Sequence, residues 1–163
     1  RKFAISYLQR SLLSHDLQPL SGPEWVGCFR QVLFPLMNFL LSETPENNGT
    51  APAVIEESRI EIAKTMSKFF LNHLTSLMTL ASFNELWFEI LHYPEKFMKL
   101  RTDMLYETVY EILKNMLRLM HFFKAFHNPD GVTYSTLWEL TWNKISTFLP
   151  SLREEIFMDN GEH

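Results

Sequence analysis

Glycine and proline are scarce, with five and eight residues in a chain of 163. Together they make 8% of the chain, below the ~12% of an average protein. That is too few for a β-rich fold with many tight turns, and no glycine-rich phosphate loop can be assembled from them. Positive charge is in deficit too, with 15 Lys and Arg against 19 Asp and Glu and a net charge of -4. A grip on a phosphate backbone is therefore not expected, and nucleic acid is not an expected partner. The single cysteine, Cys28, excludes an internal disulfide framework and fits a reducing compartment. Long apolar runs are missing as well. The most apolar stretch, Val32 to Leu41, is interrupted by Pro35 and Asn38, whereas a spanning helix needs ~20 apolar residues. A signal peptide is not recognisable, and the chain starts at Arg1 without an initiator Met. We therefore expect a soluble piece of a longer chain.

What is present is bulk. Hydrophobic residues make up 46% of the chain, among them 14 Phe, eight Met and four Trp, at a mean hydropathy of -0.10. One domain over 1–163 is expected, large enough to bury ~70% of the surface its unfolded chain would expose. Apolar residues recur at helical spacing almost throughout. Leu105, Val109, Ile112, Leu113, Met116, Met120 and Phe123 form the stripe of an amphipathic helix. Ala63, Met66, Phe69 and Phe70 repeat the pattern between Ile60 and His73. No alternating run bounded by turns stands out, so the predicted fold is all-α.

Three serine or threonine residues stand three positions before a glutamate: Ser21 with Glu24, Ser82 with Glu85, and Thr136 with Glu139. Each pair has the spacing of a capping box, and each has a tryptophan at or near it, Trp25, Trp87 or Trp138. Six main helices are predicted, at about 2–16, 23–42, 54–73, 83–99, 103–126 and 135–148, with a short seventh from Ser151 to Phe157. Breaks fall at 18–22, at a polar, mobile loop over 43–52, around 75–81, near 101–102 and at 127–133. Paired in order, the helices make three hairpins of ~50 residues, near the ~40–47 of HEAT and armadillo repeats. The second helix of each pair would carry the tryptophan. Pro35 and Pro94 lie inside such second helices and should kink them.

Chemistry-bearing constellations are thin. His92 and Glu95 are a turn apart, a weak metal signal that reads more simply as a surface histidine. His121 and His127, six apart, do not share a helical face, and His15-Asp16 falls at a helix end where a cationic histidine suits the dipole. Cys28 follows Trp25 on an apolar face and reads as a buried structural thiol. Asn48-Gly49-Thr50 spells a glycosylation sequon but reads as a turn in a polar loop. No nucleophile-elbow, zinc-protease, phosphate-loop or paired-cysteine motif occurs, and neither cofactor nor metal is expected. Two features are candidate surfaces. Lys96, Lys99 and Arg101 alternate with Phe97, Met98 and Leu100 at a helix end. They form either a patch for anionic lipid or an acidic partner, or cations that complement the helix dipole. Trp138 and Trp142 share a face and are either core or interface anchors.

An ordered series of residues carries a resemblance. Ser6-Tyr7-Leu8-Gln9-Arg10-Ser11-Leu12-Leu13 and His15-Asp16-Leu17-Gln18 are followed by Glu24-Trp25, Cys28-Phe29 and Val32-Leu33-Phe34-Pro35-Leu36. Phe83, Leu86-Trp87, Ile90-Leu91, Glu111 and Leu113-Lys114-Asn115-Met116-Leu117 come next. Leu137-Trp138-Glu139, Thr141-Trp142, Ile145, Phe148-Leu149-Pro150, Leu152-Arg153 and Glu155 close the series. From Ser6 to Phe157 the chain resembles the large Arf guanine-nucleotide exchange factors of the Golgi brefeldin A-resistance type, in a segment downstream of their exchange domain. The resemblance implies a parent protein that is cytoplasmic and peripherally associated with Golgi and early secretory membranes. It would promote GDP-to-GTP exchange on Arf GTPases in support of COPI traffic. The family's exchange glutamate lies in a loop reading F-R-x-P-G-E. The nearest string here, Phe29-Arg30-Gln31-Val32, lacks Pro-Gly-Glu, so no catalytic residue carries over. The implied role is a non-catalytic module that regulates, targets or scaffolds. Its implied partners are other domains of the parent, Arf through the parent, and Golgi lipids or protein effectors.

Overall fold

The structure is a computed structural model and describes residues 22–44 and 51–157. The helix expected over 2–16, Ser21 of the first capping pair, and residues 45–50 of the polar loop lie outside the described residues. The chain enters on α1 (Gly22–Cys28), passes through a π-helical turn (Phe29–Leu33) and continues as α2 (Phe34–Ser42). Then come α3 (Pro52–Asn72), α4 (Leu74–Met78), α5 (Phe83–Met98) and α6 (Asp103–Phe122), followed by α7 (Thr136–Ile145) and α8 (Leu152–Phe157). Among the described residues there is no strand, only an isolated bridge between His127 and Tyr134. The all-α expectation holds.

Proline explains the one irregular helix. Pro35 has no N–H, so the bond it would donate one turn back is missing. The chain widens immediately before it, and the Phe34 N–H reaches five residues back to Phe29 O instead of four. Pro94 lies in the interior of α5, which continues as an α-helix to Met98.

Two of the expected boundaries move. Leu74, just before the expected break, and Leu77, inside it, are buried, and a further short helix, α4, winds there. The stretch expected to be helical to 126 stops at Phe122. Lys124 takes a left-handed φ of 66°, its N–H bonds His121 O at 3.1 Å, and the Ala125 N–H bonds Met120 O at 2.8 Å. Those paired bonds are a Schellman cap, closed here without the glycine that usually supplies it. The two capping boxes that fall within the described residues do not form. Ser82 sits at φ -88°, ψ 5° and makes no side-chain cap bond, because a box needs extended backbone at that position. Thr136 is not the cap residue of α7. Ser135 is, and its hydroxyl donates to Phe126 O at 3.1 Å instead.

The helices form two layers. α1–α2, α5 and α7 follow one another in the first, and α3, α6 and α8 in the second. The most extensive contact is α3 on α6, and across the layers α2 packs on α3 and α5 on α6. The pairing therefore differs from the expected one, because the helix carrying Trp87, α5, packs on α6 after it rather than on α3 before it. The short link of residues 99–102 forces α5 and α6 to be neighbours, whereas the long 123–135 connection lets α7 pack on α5 rather than α6.

The recurring tryptophans thus mark one layer, and ring contacts join them. Trp25 meets Phe69, which meets Phe29, which meets Phe70. Phe70 stacks near Trp87, Trp87 meets Phe126, and Phe126 meets Trp138. Centroid separations along this chain of rings run from 5.1 to 6.4 Å, the range in which aromatic pairs attract beyond simple burial. Phe29, Phe69, Phe70, Trp87 and Phe126 are all fully buried.

Candidate functional site

The candidate surface is the C-terminal end of α5 and what surrounds it. Helix α5 ends because Arg101 takes a left-handed φ of 58° and turns the chain into α6. Phe97 and Met98 are buried in the core, while Lys96, Lys99 and Arg101 are exposed. The structure separates these three cations. Lys99 and Arg101 line one concavity of about 430 Å³ together with Glu95, Met98, Asp103, Tyr106 and Phe148. Lys96 lies outside that lining, one turn from His92, whose pKa it helps to lower.

Glu95 organises the site. Its Oε1 pairs with Lys99 Nζ at 3.1 Å and its Oε2 accepts from Lys144 Nζ at 2.9 Å, which ties α5 to α7. Those hydrogen bonds, Lys144's first, hold the Glu95 carboxyl below the usual carboxylate range. Arg101 has no such partner, since no carboxylate lies within ion-pair reach of it among the described residues. Thr102, the N-cap of α6, presents extended backbone but makes no side-chain cap bond, and its hydroxyl is buried without a partner. The concavity thus opens at the start of a 20-residue helix whose first turn places the Asp103 carboxylate against the helix dipole.

A second concavity of about 630 Å³ adjoins the first through Tyr106. Glu107, Glu111 and Glu155 line it around Tyr110, Leu149 and Leu152. Lys114 approaches Glu111 at 3.9 Å and lies over the Tyr110 ring. The sequence pattern gave no sign of this acidic neighbour, because its carboxylates come from α6 and α8, which are distant in the chain.

Trp138 and Trp142 are buried, 5% and 6% exposed. Trp138 stacks on Tyr134 at 4.3 Å, both indoles touch Phe157, and Arg153 lies over both. The turn at Lys124 also brings His121 and His127 to a ring separation of 5.2 Å, although they share no helical face. Each of the two rings also meets that of Tyr134, whose hydroxyl is 2.9 Å from His121 Nε2. Sequence spacing along a helix had no means of finding this cluster, which depends on the chain reversing.

Other candidates carry little chemistry. Burial, and then Glu24, raise the Cys28 pKa, so the thiolate is disfavoured. Arg30, in the string nearest to the exchange motif, instead donates to Glu89 on α5 through Nε and a terminal nitrogen, at 3.1 and 2.6 Å. Among the described residues no group of three or more metal-ligating side chains converges, and no helix is long and apolar enough to cross a membrane. His15 and Asp16 lie outside the described residues.

Comparison with known proteins places this architecture. The chain is 34% identical over 155 residues to a Golgi-specific brefeldin A-resistance guanine nucleotide exchange factor 1 homolog from Caenorhabditis elegans, covering 93% of this chain and 7% of that protein. It is 32% and 33% identical to the ARF guanine-nucleotide exchange factors GNL1 and GNOM of Arabidopsis thaliana, covering 96% and 98% of this chain and 11% of each relative. The chain therefore spans about a tenth of the length of these relatives. No solved structure matches it significantly. A family model described as "GBF1-like, tetratrico peptide repeat region" matches residues 1–152, in accord with the two-layered helices above, and the chain belongs to that family.

Proposed function

We propose that this segment is a non-catalytic scaffolding, regulatory or targeting module of an Arf guanine-nucleotide exchange factor acting in Golgi and COPI vesicle traffic. The use made of its polar side chains supports this reading most. Arg30 with Glu89, Trp87 with Thr141, Lys144 with Glu95, and Arg59 with two backbone carbonyls each fasten one helix to another. Such a segment holds a shape, and the exchange reaction is assigned to the remainder of the parent chain. The parent is read as cytoplasmic and peripheral on Golgi and early secretory membranes. It meets Arf through its exchange domain and meets this module through its other domains. Direct contact with anionic lipid is the weaker reading, since Glu95, Asp103 and Glu107 sit among the cations of the only patch that suggested it.

The test uses the parent exchange factor and the 163-residue chain side by side. The chain alone should release no nucleotide from Arf. A parent carrying Trp87→Ala, which removes a fully buried indole, should lose Golgi retention or regulated exchange, while its excised exchange domain keeps full activity. Nucleotide release by the chain alone would overturn the reading.

A further inference from the structure

Charge is sorted along the second layer. In α3 the carboxylates Glu56, Glu57 and Glu61 occupy the first half, and no Asp or Glu occurs from 62 to 84. In α6 the carboxylates Asp103, Glu107 and Glu111 do the same, and none occurs from 112 to 129. The two helices run parallel. Phe70, near the end of α3, stacks at 6.3 Å on Phe83, the first residue of α5. Trp87, one turn further into α5, meets Phe126 just past the end of α6, also at 6.3 Å. The carboxylate-free halves therefore lie at one end of the layer. Exposed there are Lys64, Lys68, Arg118 and Lys124, none of which pairs with a carboxylate among the described residues. Phe122 and Phe123 lie between the last two in the chain, 72% and 42% exposed, with their rings edge to face at 5.2 Å. We propose that this end of the second layer contacts an anionic membrane surface, where the four cations meet lipid headgroups and the two phenylalanines enter the interfacial region.

The cations and the aromatic pair carry the inference together. Basic residues near helix ends suit the dipole, but that effect fades within the last turn, and Lys64 stands two turns back from the end of α3. The dipole also gives no reason for two adjacent exposed phenylalanines, which suit a headgroup boundary. They protrude from a helix end and do not line a groove, so a fluid lipid surface fits them better than a peptide does. Lipid contact was weakened at the end of α5 by carboxylates among its cations, and this end lacks that arrangement. Glu111 is about 16 Å of helix rise from Phe122, roughly twice the Debye length in physiological salt. Glu24, Glu85 and Glu139 open α1, α5 and α7 in the other layer. The Asp130 carboxylate is engaged by the N–H groups of Val132 and Thr133 and by the Thr133 hydroxyl. The inference deepens the targeting part of the function proposed above and rests on it for its cellular setting. It is measured with the chain and vesicles alone, so its failure would leave the exchange and retention assays untouched.

The test is flotation of the 163-residue chain with vesicles of phosphatidylcholine, either alone or with about a third phosphatidylserine. Binding to the anionic vesicles should be at least about tenfold stronger than to the neutral ones, and salt at about 0.5 M should release the chain. Arg118→Gln with Lys124→Gly should weaken binding at least about tenfold without lowering the melting temperature, since glycine relaxes the left-handed φ at 124. A loss in that variant therefore cannot be blamed on unfolding. Phe122→Ser changes an exposed position and should weaken binding about three- to tenfold at an unchanged melting temperature. Lys96→Gln with Lys99→Gln removes as much charge from the end of α5 and should leave binding as it was. Equal flotation with both kinds of vesicle, or none with either, would overturn the proposal. So would indifference to Phe122→Ser, or a loss in the Lys96 and Lys99 variant as large as in the Arg118 and Lys124 variant. Binding of an acidic, Leu-rich peptide with the anionic vesicles ignored would overturn it too, and would make this end a protein-docking surface.

Discussion

The indole N–H of Trp87 donates to Thr141 Oγ1 at 2.9 Å, and the same hydroxyl donates to Leu137 O at 2.6 Å. Trp87 is on α5 and Thr141 on α7, neighbours in the tryptophan-bearing layer, and both are fully buried. A large aromatic brings a polar atom into the core with it, and a buried donor left unpaired costs about 1–3 kcal/mol. The threonine solves this while its own proton goes to the preceding turn of α7, so neither group is stranded. This buried bond and the Lys144–Glu95 pair nearer the surface both join the two helices.

Thr141→Val keeps the shape and strands the indole. It should lower stability by about 1–3 kcal/mol, a fall in melting temperature of roughly 3–12 °C for a chain of this size. Thr141→Ser keeps the hydroxyl and should cost less than half as much. Thermal unfolding followed by circular dichroism, with tryptophan fluorescence reporting on Trp87, separates the two. Equal losses in Val and Ser would mean that the threonine methyl is worth as much here as the hydrogen bond.

Arg59 ends α2. Its Nε donates to Leu40 O at 2.9 Å and a terminal nitrogen donates to Glu43 O at 2.7 Å, so a half-buried cation on α3 satisfies carbonyls at the C-terminus of the helix it packs against. Burial lowers its pKa, against which Glu43 and Glu56 act. Arg59→Met preserves the packing stem and removes both bonds. It should cost about 1–3 kcal/mol, and protection from hydrogen exchange should fall in residues 37–42 more than in α7. Uniform loss across the chain would instead indicate global destabilisation.

Helical class, the amphipathic stripe of α6 and most element centres were readable from the sequence because apolar periodicity is a local property. Leu105, Val109, Leu113, Met116 and Met120 of that stripe are buried and Ile112 half-buried, while Phe123 lies past the end of the helix and is exposed. The uneven recurrence of Trp25, Trp87 and Trp138 suggested a degenerate repeat, in line with the repeat-region family model. Which helix each one packs on was not readable, because pairing depends on link length and on the turn at Arg101, where an unexceptional residue adopts a glycine-like φ. The basic end of the candidate site could be read as Lys99 and Arg101 in a short window. Lys144 and the acidic end could not, since they arrive from other helices. The capping boxes failed for a related reason. The motif states what a serine can do, while the backbone at Ser82 and the Phe126 carbonyl near Ser135 decide what it does.

Three histidines make stability sensitive to mild acid. His73 stacks on Trp25 at 3.7 Å and burial lowers its pKa, while burial and then nearby lysines lower those of His92 and His127. Each is then a weaker base folded than unfolded, where the value is near 6.5. Between the folded and unfolded values the unfolded chain holds more protons, so stability rises with pH across that window. The contribution is fully present above about pH 6.5 and is lost as pH falls through the folded values. The melting temperature should be level from pH 8 to 7 and decline steadily toward pH 5, with a shallower decline in His73→Gln. A flat profile over that range would show that these histidines protonate as easily folded as unfolded.

Lys124 and Arg101 offer the opposite experiment, a gain. Both hold left-handed backbone, at φ 66° and 58°, in a chain with few glycines. A side chain there crowds the following carbonyl by about 1–2 kcal/mol, part of which glycine returns through the freedom it adds to the unfolded chain. Lys124→Gly completes a Schellman cap in its usual chemistry and should stabilise by about 0.5–1 kcal/mol, or roughly 1–4 °C in melting temperature. Arg101→Gly should gain a similar amount. The two sites lie at opposite ends of α6, so the gains should add in the double variant. Lys124→Ala is the control, since it removes the charge but keeps the Cβ that strains the turn. If alanine stabilised as much as glycine, the charge and not the backbone would be the source of the gain.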